Sequence, residues 1–280
     1  MKKKYHLYVI LTCITIFIVI ISSGIIYSLF ENQPKIESTM EEGLIHISYD
    51  DVYLILEDLS NNQDRYESIF QNKMLFLLKI LHDTTGASFT LYVYEYAGKY
   101  SITDVPDKWK SEFEENSEWL KFGYHGICPE ISYLDENISI DDFKNSYQTV
   151  ENSIIFFAGH KSLSNILRLS YFSGTDDIID YLSKSGIKVL LTADDTRLNY
   201  NLNFEENNLI NQDEILQKGD LTYVKTDIRY ENTPDIEQAL VNNSGEPIIV
   251  LFTHEWAFKE TFCDVGKSAY ILSKSGRVFV

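Results

Sequence analysis

The amino-acid sequence predicts an α/β protein that is built on a parallel sheet. Short β-rich segments alternate with helical segments from residue 44 to residue 280, an order typical of sheets that are either doubly wound or closed into a barrel. Polar side chains directly follow several of these strands. In a (β/α) barrel the carboxyl ends of the strands meet at one mouth, so this second observation favours the barrel.

The first half of the chain predicts three strands, each followed by a helix. Residues 44–49 alternate as a half-buried strand does, and residues 65–82 carry apolar side chains at i, i+3 and i+4 spacing. Gly159 follows the longest helix and supplies a left-handed stop. The predicted order is strand 44–49, helix 65–82, strand 88–94, helix 107–119, strand 120–124 and helix 141–158.

The second half continues the same alternation. Residues 196–219 are rich in asparagine and polar, which predicts an ordered loop or a pair of short strands. Residues 247–253 are all apolar except the last, which is typical of a strand buried on both faces. The predicted order is strand 165–171, helix 176–184, strand 188–193, strand 221–226, helix 234–241, strand 247–253, helix 266–274 and strand 277–280.

The N-terminal segment predicts a membrane anchor. An uncharged apolar run from about residue 7 to residue 30 follows three lysines, and it is long enough to cross a hydrocarbon core of roughly 30 Å. A cleaved signal peptide is the alternative, but its apolar region is usually shorter. We therefore expect a cytoplasmic stub and transmembrane helix over 1–30, a polar linker over 31–43, and an exported domain over 44–280.

Charge and motifs exclude several classes of partner. The formal net charge is -18, with 42 acidic against 24 basic side chains, so binding to nucleic acid or to anionic lipid through a basic patch is disfavoured. No P-loop, dinucleotide fingerprint or nucleophile elbow is present, so we expect no nucleotide cofactor and no serine-hydrolase chemistry. Cys128 and Cys263 could form one disulfide, although free cysteines are at least as plausible.

The polar residues at the strand ends carry the functional prediction. Asp51 with one or two imidazoles would form a site for Zn²⁺ or a similar divalent ion, and Asp50 would then take a proton from the bound water. His254 could protonate the leaving group, and Arg168 could keep Asp50 ionised. The predicted strand-end residues are Asp50, Asp51, His125, Asp194, Asp195, His254 and Glu255.

Each of these residues also has a structural interpretation. An Asp-Asp pair often forms a turn or caps a helix, and His254 could be a hydrogen-bonded core histidine. Arg168 could belong to a buried structural ion pair, and the pair at 194–195 could cap the following loop. Their common position at the ends of strands favours function over these alternatives.

The ordered set of motifs resembles one known family. Ile47-Ser-Tyr-Asp-Asp51, the segment 122–125, Arg168, the pair 194–195 and the segment 251–254 resemble, in the same order, the five motifs of the polysaccharide deacetylases, the NodB-homology domain of carbohydrate esterase family 4. The resemblance implies a distorted (β/α)7 barrel that hydrolyses N-acetyl or O-acetyl groups of a glycan. It also implies catalytic roles for Asp50, Arg168 and His254 and metal binding by Asp51 and His125.

The sequence departs from this family at three places. Pro129 stands where the family has its second metal-binding histidine, so His160 or Glu130 would have to complete the metal site. Val52 replaces the glycine of the first motif, and Leu169-Ser170 replaces the x-Pro that follows the arginine of the third.

We therefore expect a membrane-anchored, metal-dependent carbohydrate deacetylase whose domain lies outside the cytoplasm. Three aromatic residues near the strand ends could stack on sugar rings, and Asp194 and Asp195 could contact the substrate. An inactive relative that binds glycan is one alternative. A glycosidase that uses the four strand-end aspartates without a metal is another. The three aromatic residues are Tyr124, Tyr171 and Trp256.

Overall fold

The structure is a computed structural model that describes residues 43–132 and 138–280. The strands in these ranges are β1 Leu44–Val52, β2 Phe89–Tyr94, β3 Tyr96–Ala97, β4 Tyr100–Ser101, β5 Leu120–Gly126, β6 Ile166–Leu167, β7 Val189–Leu191, β8 Ile215–Lys218, β9 Leu221–Val224, β10 Ile228–Arg229, β11 Ile248–His254 and β12 Val278–Phe279. The helices are α1 Leu54–Asn61, α2 Lys73–Thr85, α3 Lys110–Glu115, α4 Ile140–Ala158, α5 Asp176–Lys184, α6 Phe204–Asp213, α7 Ile236–Asn242 and α8 Phe258–Ser273.

The predicted membrane anchor lies outside the described residues, as does almost all of the predicted linker. Within 43–132 and 138–280, no helix has both the length and the apolar character that crossing a bilayer requires. Cys128 and Cys263 are both free, and Cys263 is exposed.

Most strand pairs are parallel, which confirms the predicted α/β class. One sheet has the order β10-β11-β1-β2-β5, and the start of β1 also pairs with β12. A second sheet has the order β6-β7-β9-β8, in which only the β8–β9 pair is antiparallel. The two sheets approach each other at both ends: Phe122 of β5 bridges Leu163 in parallel just before β6, and only residues 225–227 separate β9 from β10.

Two helices were not predicted from the sequence. Residues 204–213 form α6, although they were expected to be a loop or short strands. Asn203 and Glu206 form a reciprocal capping box at its start, a sequence signal of a helix N-terminus that outweighs the polar composition. Residues 54–61 form α1, whose N-cap residue Tyr53 makes no side-chain capping bond. The N-terminus of α1 is capped instead by the side chain of Glu255, a residue distant in the sequence.

Other predicted elements differ in length. The strand expected over 165–171 is paired only at Ile166–Leu167, because the chain turns into a short 3-10 helix in which Tyr171 has a φ of 56°. The last helix begins at Phe258, well before the predicted residue 266. The helix expected over 65–82 is confirmed in its second part by α2, which ends at Gly86 with a φ of 76°.

A buried carboxyl group at the base of the sheet gives one stability prediction. Asp227 accepts a hydrogen bond from the backbone of Val250 at 2.8 Å, and burial raises its pKa well above the usual range. The native protein therefore holds a proton that the unfolded chain releases above about pH 4, and stability falls as pH rises. We expect the free energy of unfolding to fall by at most about 1.4 kcal/mol per unit between pH 5 and pH 7 on this account.

The substitution Asp227→Asn removes this proton and keeps a side-chain oxygen that can accept the bond from Val250. Urea unfolding of the wild type and of this variant at pH 5, 6 and 7 should show the wild type losing stability relative to the variant as pH rises, because the asparagine does not titrate. Parallel pH profiles would contradict the assignment to Asp227.

Candidate active site

A bulge at the end of β1 brings two consecutive carboxylates to the same cavity. Side chains alternate between the faces of a regular strand, so Asp50 and Asp51 would normally point apart. The pairing of β1 with β2 shifts register between Tyr49 and Val52, and Asp51 has a φ of 57°. Bulges of this kind often redirect side chains beside active sites, and here both aspartates line the cavity.

Arg168 holds Asp50 from below. Its guanidinium is fully buried, and Nη1 donates to Asp50 Oδ1 at 3.0 Å and to Ser48 Oγ at 2.7 Å. Nη2 donates to Thr226 Oγ1 at 3.0 Å, and the group lies 4.2 Å from the ring centroid of Phe252. The buried carboxyl group of Asp50 is therefore held by a direct bond to a cation.

Donors surround both carboxylate oxygens of Asp51. Oδ1 accepts from the Tyr94 hydroxyl at 2.7 Å and lies 3.3 Å from Nε2 of His125. Oδ2 accepts from the indole nitrogen of Trp256 at 3.0 Å and lies 3.9 Å from Nε2 of His254. Burial raises the pKa of Asp51, but these hydrogen bonds and the neighbouring imidazoles outweigh burial and hold it well below its usual range.

His125 is fixed by a backbone carbonyl. Its Nδ1 lies 2.6 Å from the carbonyl oxygen of Arg168; a carbonyl only accepts, so Nδ1 carries the proton and Nε2 faces Asp51. Burial lowers the pKa of His125, but the bond to Asp51 and the charges of both aspartates raise it above the usual value. A second register shift, between β2 and β5, sets His125 opposite the end of β2.

His254 forms a dyad with a residue from the neighbouring strand end. Its Nδ1 lies 2.7 Å from Oε1 of Glu231, and the same oxygen accepts its backbone N–H at 2.8 Å. Burial raises the pKa of Glu231, but the bond and charge of His254 outweigh it and lower this pKa to about 2. Because the carboxylate accepts the Nδ1 proton, Nε2 is the nitrogen left for proton transfer at the cavity. Asp50 and His254 are register partners on β1 and β11.

The cavity has a volume of about 240 Å³. Its rim includes Tyr171, whose exposed ring is held by a hydroxyl bond to the carbonyl of Pro129 at 2.7 Å. Trp256 is 59% exposed and stacks on the imidazole of His254 with a centroid separation of 5.0 Å. Exposed aromatic faces beside a polar cavity suit the apolar faces of sugar rings. The cavity is lined by Asp50, Asp51, Tyr94, His125, Pro129, Leu169, Ser170, Tyr171, Phe172, Arg197, Arg229 and His254.

Two residues expected at the site lie elsewhere. His160 is exposed and adjoins Lys161, whose carbonyl accepts a bond from Lys121 at 2.6 Å, near the start of β5 rather than its end. His160 is therefore not among the described residues that line the cavity with Asp51 and His125. Tyr124 is buried and points away from His125, its hydroxyl bonded to Ser146 on α4 at 3.0 Å. It packs against the helix and is not part of the cavity lining among the described residues.

The acidic pair at 194–195 does not line the cavity among the described residues. Asp195 is about half exposed and forms a bidentate pair with Arg197. Asp194 accepts a weak bond from Asn232 at 3.4 Å. Asp195 is linked to the cavity by its ion pair with Arg197, which lines the cavity.

Sequence patterns had not singled out four residues of the site. Tyr94 is the last residue of β2, a position that the strand-end argument could have included. Glu231 lies in a short 3-10 helix after β10, and no local pattern links it to His254. Arg197 and Arg229 lie a few residues after the predicted strands 188–193 and 221–226, and only the folded chain brings them to one cavity.

The donor set does not fit a catalytic zinc with three protein ligands. Asp51 and His125 could supply two, and the Nδ1 bond of His125 to a carbonyl is typical of metal-binding histidines. Pro129, at the third position implied by the family resemblance, has no donor atom. Within 43–132 and 138–280, no three His, Cys, Asp or Glu side chains are arranged to hold a metal ion.

Comparisons with known proteins give matches among solved structures alone. No family model matches the chain, and no curated protein matches it. It is similar to a CE4 esterase from Streptococcus mutans, with 10% identity, 85% of each chain covered and a TM-score of 0.46.

Two further structures are similar to a comparable degree. A polysaccharide deacetylase from Bacillus cereus has 11% identity, with 84% of this chain and 90% of that chain covered and a TM-score of 0.45. The Xyl-CE4 domain of a multidomain xylanase from the hindgut metagenome of Trinervitermes trinervoides has 12% identity, with 85% and 87% covered and a TM-score of 0.45.

Proposed function

We propose that this chain is a carbohydrate deacetylase that removes N-acetyl or O-acetyl groups from a glycan. In this proposal the parallel strands form a distorted (β/α)7 barrel, and residues 1–30 anchor that domain to a membrane with its site outside the cytoplasm. The observation that carries the proposal is the pairing of Asp50 with His254 in register on adjacent strands, at one cavity. A fixed carboxylate beside a fixed imidazole suits general acid–base catalysis.

The two side chains divide the proton transfers. Asp50, held in place by its bond to Arg168, accepts a proton from a water molecule as the oxygen of that water attacks the acyl carbon. His254 donates the Nε2 proton to the leaving nitrogen or oxygen as the acyl bond breaks, and Glu231 fixes the ring by accepting the hydrogen bond from Nδ1. Tyr171 and Trp256 would hold the sugar ring against the rim. A divalent ion would polarise the acyl carbonyl, but the two ligands found here give no basis for assigning it a step.

The test is acetate release from N-acetylated and O-acetylated oligosaccharides by the full chain. Asp50→Asn and His254→Gln should each lower the rate by about 10²-fold to 10⁴-fold, the usual contribution of a positioned acid or base. Asp195→Asn is the matched control because Asp195 lies outside the cavity lining; we expect its rate to stay within about twofold of wild type. Equal losses in all three variants would contradict the assigned roles.

The same proteins also test whether acetate release depends on a bound metal ion. Bound metal is measured in the wild type and in Asp51→Asn, and the assay is repeated with added Zn²⁺ and with a chelator. Stoichiometric metal that disappears in Asp51→Asn would show that the two-ligand site recruits a further donor. Acetate release that survives chelation would assign the whole reaction to the side chains.

A glycan-binding protein without hydrolytic activity is the second candidate. It is favoured by the incomplete ligand set and by the hydrogen bonds that already engage both oxygens of Asp51. Calorimetric binding of an acetylated oligosaccharide, with no acetate released at any supplied metal concentration, would support this candidate over the first.

A further inference from the structure

Arg229 is an arginine of the cavity whose hydrogen-bonding capacity is unused. The chain has five arginines, and three of them contribute to this site. In Arg168 both terminal nitrogens, Nη1 and Nη2, donate to Asp50 and to two hydroxyl-bearing side chains, although its Nε has no partner among the described residues. The guanidinium of Arg197 forms the bidentate pair with Asp195. Arg229 also lines the cavity, but its Nε atom is buried and lacks a hydrogen-bond partner in the part of the chain that the structure describes.

The carboxylate beside Arg229 has one of its two oxygens committed elsewhere. Oε1 of Glu231 accepts bonds from the Thr253 hydroxyl and from both the backbone and the ring of His254. Oε2 of Glu231 lies 3.5 Å from Nε of Arg229, which is too long for a good charge-assisted bond. Arg229 is itself three-quarters shielded, with 25% of its side chain exposed. Glu231 therefore supplies the opposite charge for this desolvated cation but no close hydrogen bond, so a further anion that accepts from the guanidinium would stabilise it.

The geometry of the residue indicates which anion would bind. A guanidinium presents parallel N–H donors that match the two oxygens of a carboxylate. Arg229 pairs with Phe252 in register, two residues before His254, so a group bound there belongs to the same ligand that meets the acid. The chain as a whole carries a net charge of -18, which repels multiply charged phosphates more than a singly charged carboxylate.

We infer that Arg229 binds a carboxylate group carried by the glycan, so that the preferred ligand is an acidic, carboxylate-bearing acetylated sugar. This inference rests on the proposed function and narrows its substrate class. Arg197 also lines the cavity, but its guanidinium already donates hydrogen bonds to Asp195. Arg197 is therefore the weaker candidate for binding a carboxylate of the ligand.

The test uses two tetramers with the same backbone. One is an oligosaccharide of N-acetylglucosamine, and the other is the same tetramer oxidised at C6 to carboxylates. Binding to the full chain is measured by calorimetry and acetate release is measured in parallel. We expect the wild type to bind the carboxylated tetramer about tenfold more tightly, the effect of one good charge-assisted contact.

Three variants separate Arg229 from general electrostatics. Arg229→Gln should abolish the preference for the carboxylated tetramer and leave binding of the neutral tetramer as in wild type. Arg229→Lys should retain part of that preference, because it keeps the positive charge but loses the paired N–H donors of the guanidinium. Arg65→Gln removes the same charge from an exposed residue that is distant from Arg229 in the sequence, and it should leave the affinities for both tetramers unchanged. Thermal unfolding of each variant shows that the fold is intact.

Other outcomes overturn the inference. Equal binding of the two tetramers by the wild type would exclude a carboxylate site, and so would an equal loss for both tetramers in Arg229→Gln. A preference for the carboxylated tetramer without acetate release would sustain the role of Arg229 while the deacetylase proposal fails. Equal binding of both tetramers, with acetate released from both at the same rate, would support the deacetylase proposal and overturn the role of Arg229.

Discussion

Replacing Arg168 with methionine is expected to lower the free energy of unfolding by about 3–5 kcal/mol. The substitution keeps most of the side-chain length but removes the cation that faces Asp50 at 3.0 Å. Asp50 is only 2% exposed, so its charge would be left buried without a partner, along with the hydroxyl groups that Arg168 now satisfies. Guanidinium chloride unfolding followed by circular dichroism measures the loss.

Two controls isolate the buried pair from the general effect of removing an arginine. Arg197→Met removes the same group from an exposed ion pair on the rim, where we expect a change within about 1 kcal/mol. In the double variant Arg168→Met with Asp50→Leu, both charges are absent, and most of the lost stability should return. A double variant as unstable as the sum of the two single variants would contradict a direct interaction between Asp50 and Arg168.

The placement of the central residues could be predicted because it depends on strand ends alone. Parallel strands in one sheet present their carboxyl ends at the same edge, so the segments ending at Asp50, His125 and His254 had to meet there. Nothing more than the positions of three strands was needed, and strongly apolar or alternating segments identify those well. The contact of Arg168 with Asp50 depends in addition on how the two sheets meet, because β6 belongs to the second sheet.

Side-chain direction explains two of the misses. Tyr124 and His125 are consecutive on β5, so only one of them could face the cavity, and the expectation that both did was inconsistent with the alternation of a strand. His160 stands before β6, and the start of a strand is at the opposite edge from its end. Both errors could have been avoided from the sequence by asking which face and which end each residue occupies.

Contacts between distant residues explain the rest. The partner of His254 is Glu231, 23 residues earlier in the chain, and no short motif links the two. The bulge that turns Asp51 into the cavity depends on a positive φ at a residue that is not glycine, a conformation that is uncommon and that local sequence does not signal. Helix α1 was missed because its N-terminus is capped by Glu255, a residue about 200 positions away.

Glu255→Ala should lower the free energy of unfolding by about 3 kcal/mol, through the loss of this cap. The carboxylate of Glu255 is buried and accepts the backbone N–H groups of Tyr53 at 2.8 Å, Leu54 at 2.6 Å and Ile55 at 2.7 Å. These are donors that a helix leaves without partners at its start, and α1 has no side-chain cap of its own. Alanine would leave partly buried donors unsatisfied, and chemical denaturation measures the cost.

The same carboxylate ties the two halves of the acid–base pair together, because Glu255 follows His254 directly and holds the segment that follows Asp51. Its loss should therefore loosen the bond between Trp256 and Asp51 before the protein unfolds. Trp109 and Trp119 are buried, whereas Trp256 is 59% exposed, so acrylamide quenches mainly the fluorescence of Trp256. Quenching should increase in Glu255→Ala and less in Glu255→Gln, which keeps one acceptor oxygen for the three donors. Unchanged quenching in a destabilised Glu255→Ala would mean that Glu255 supports α1 but does not position the site.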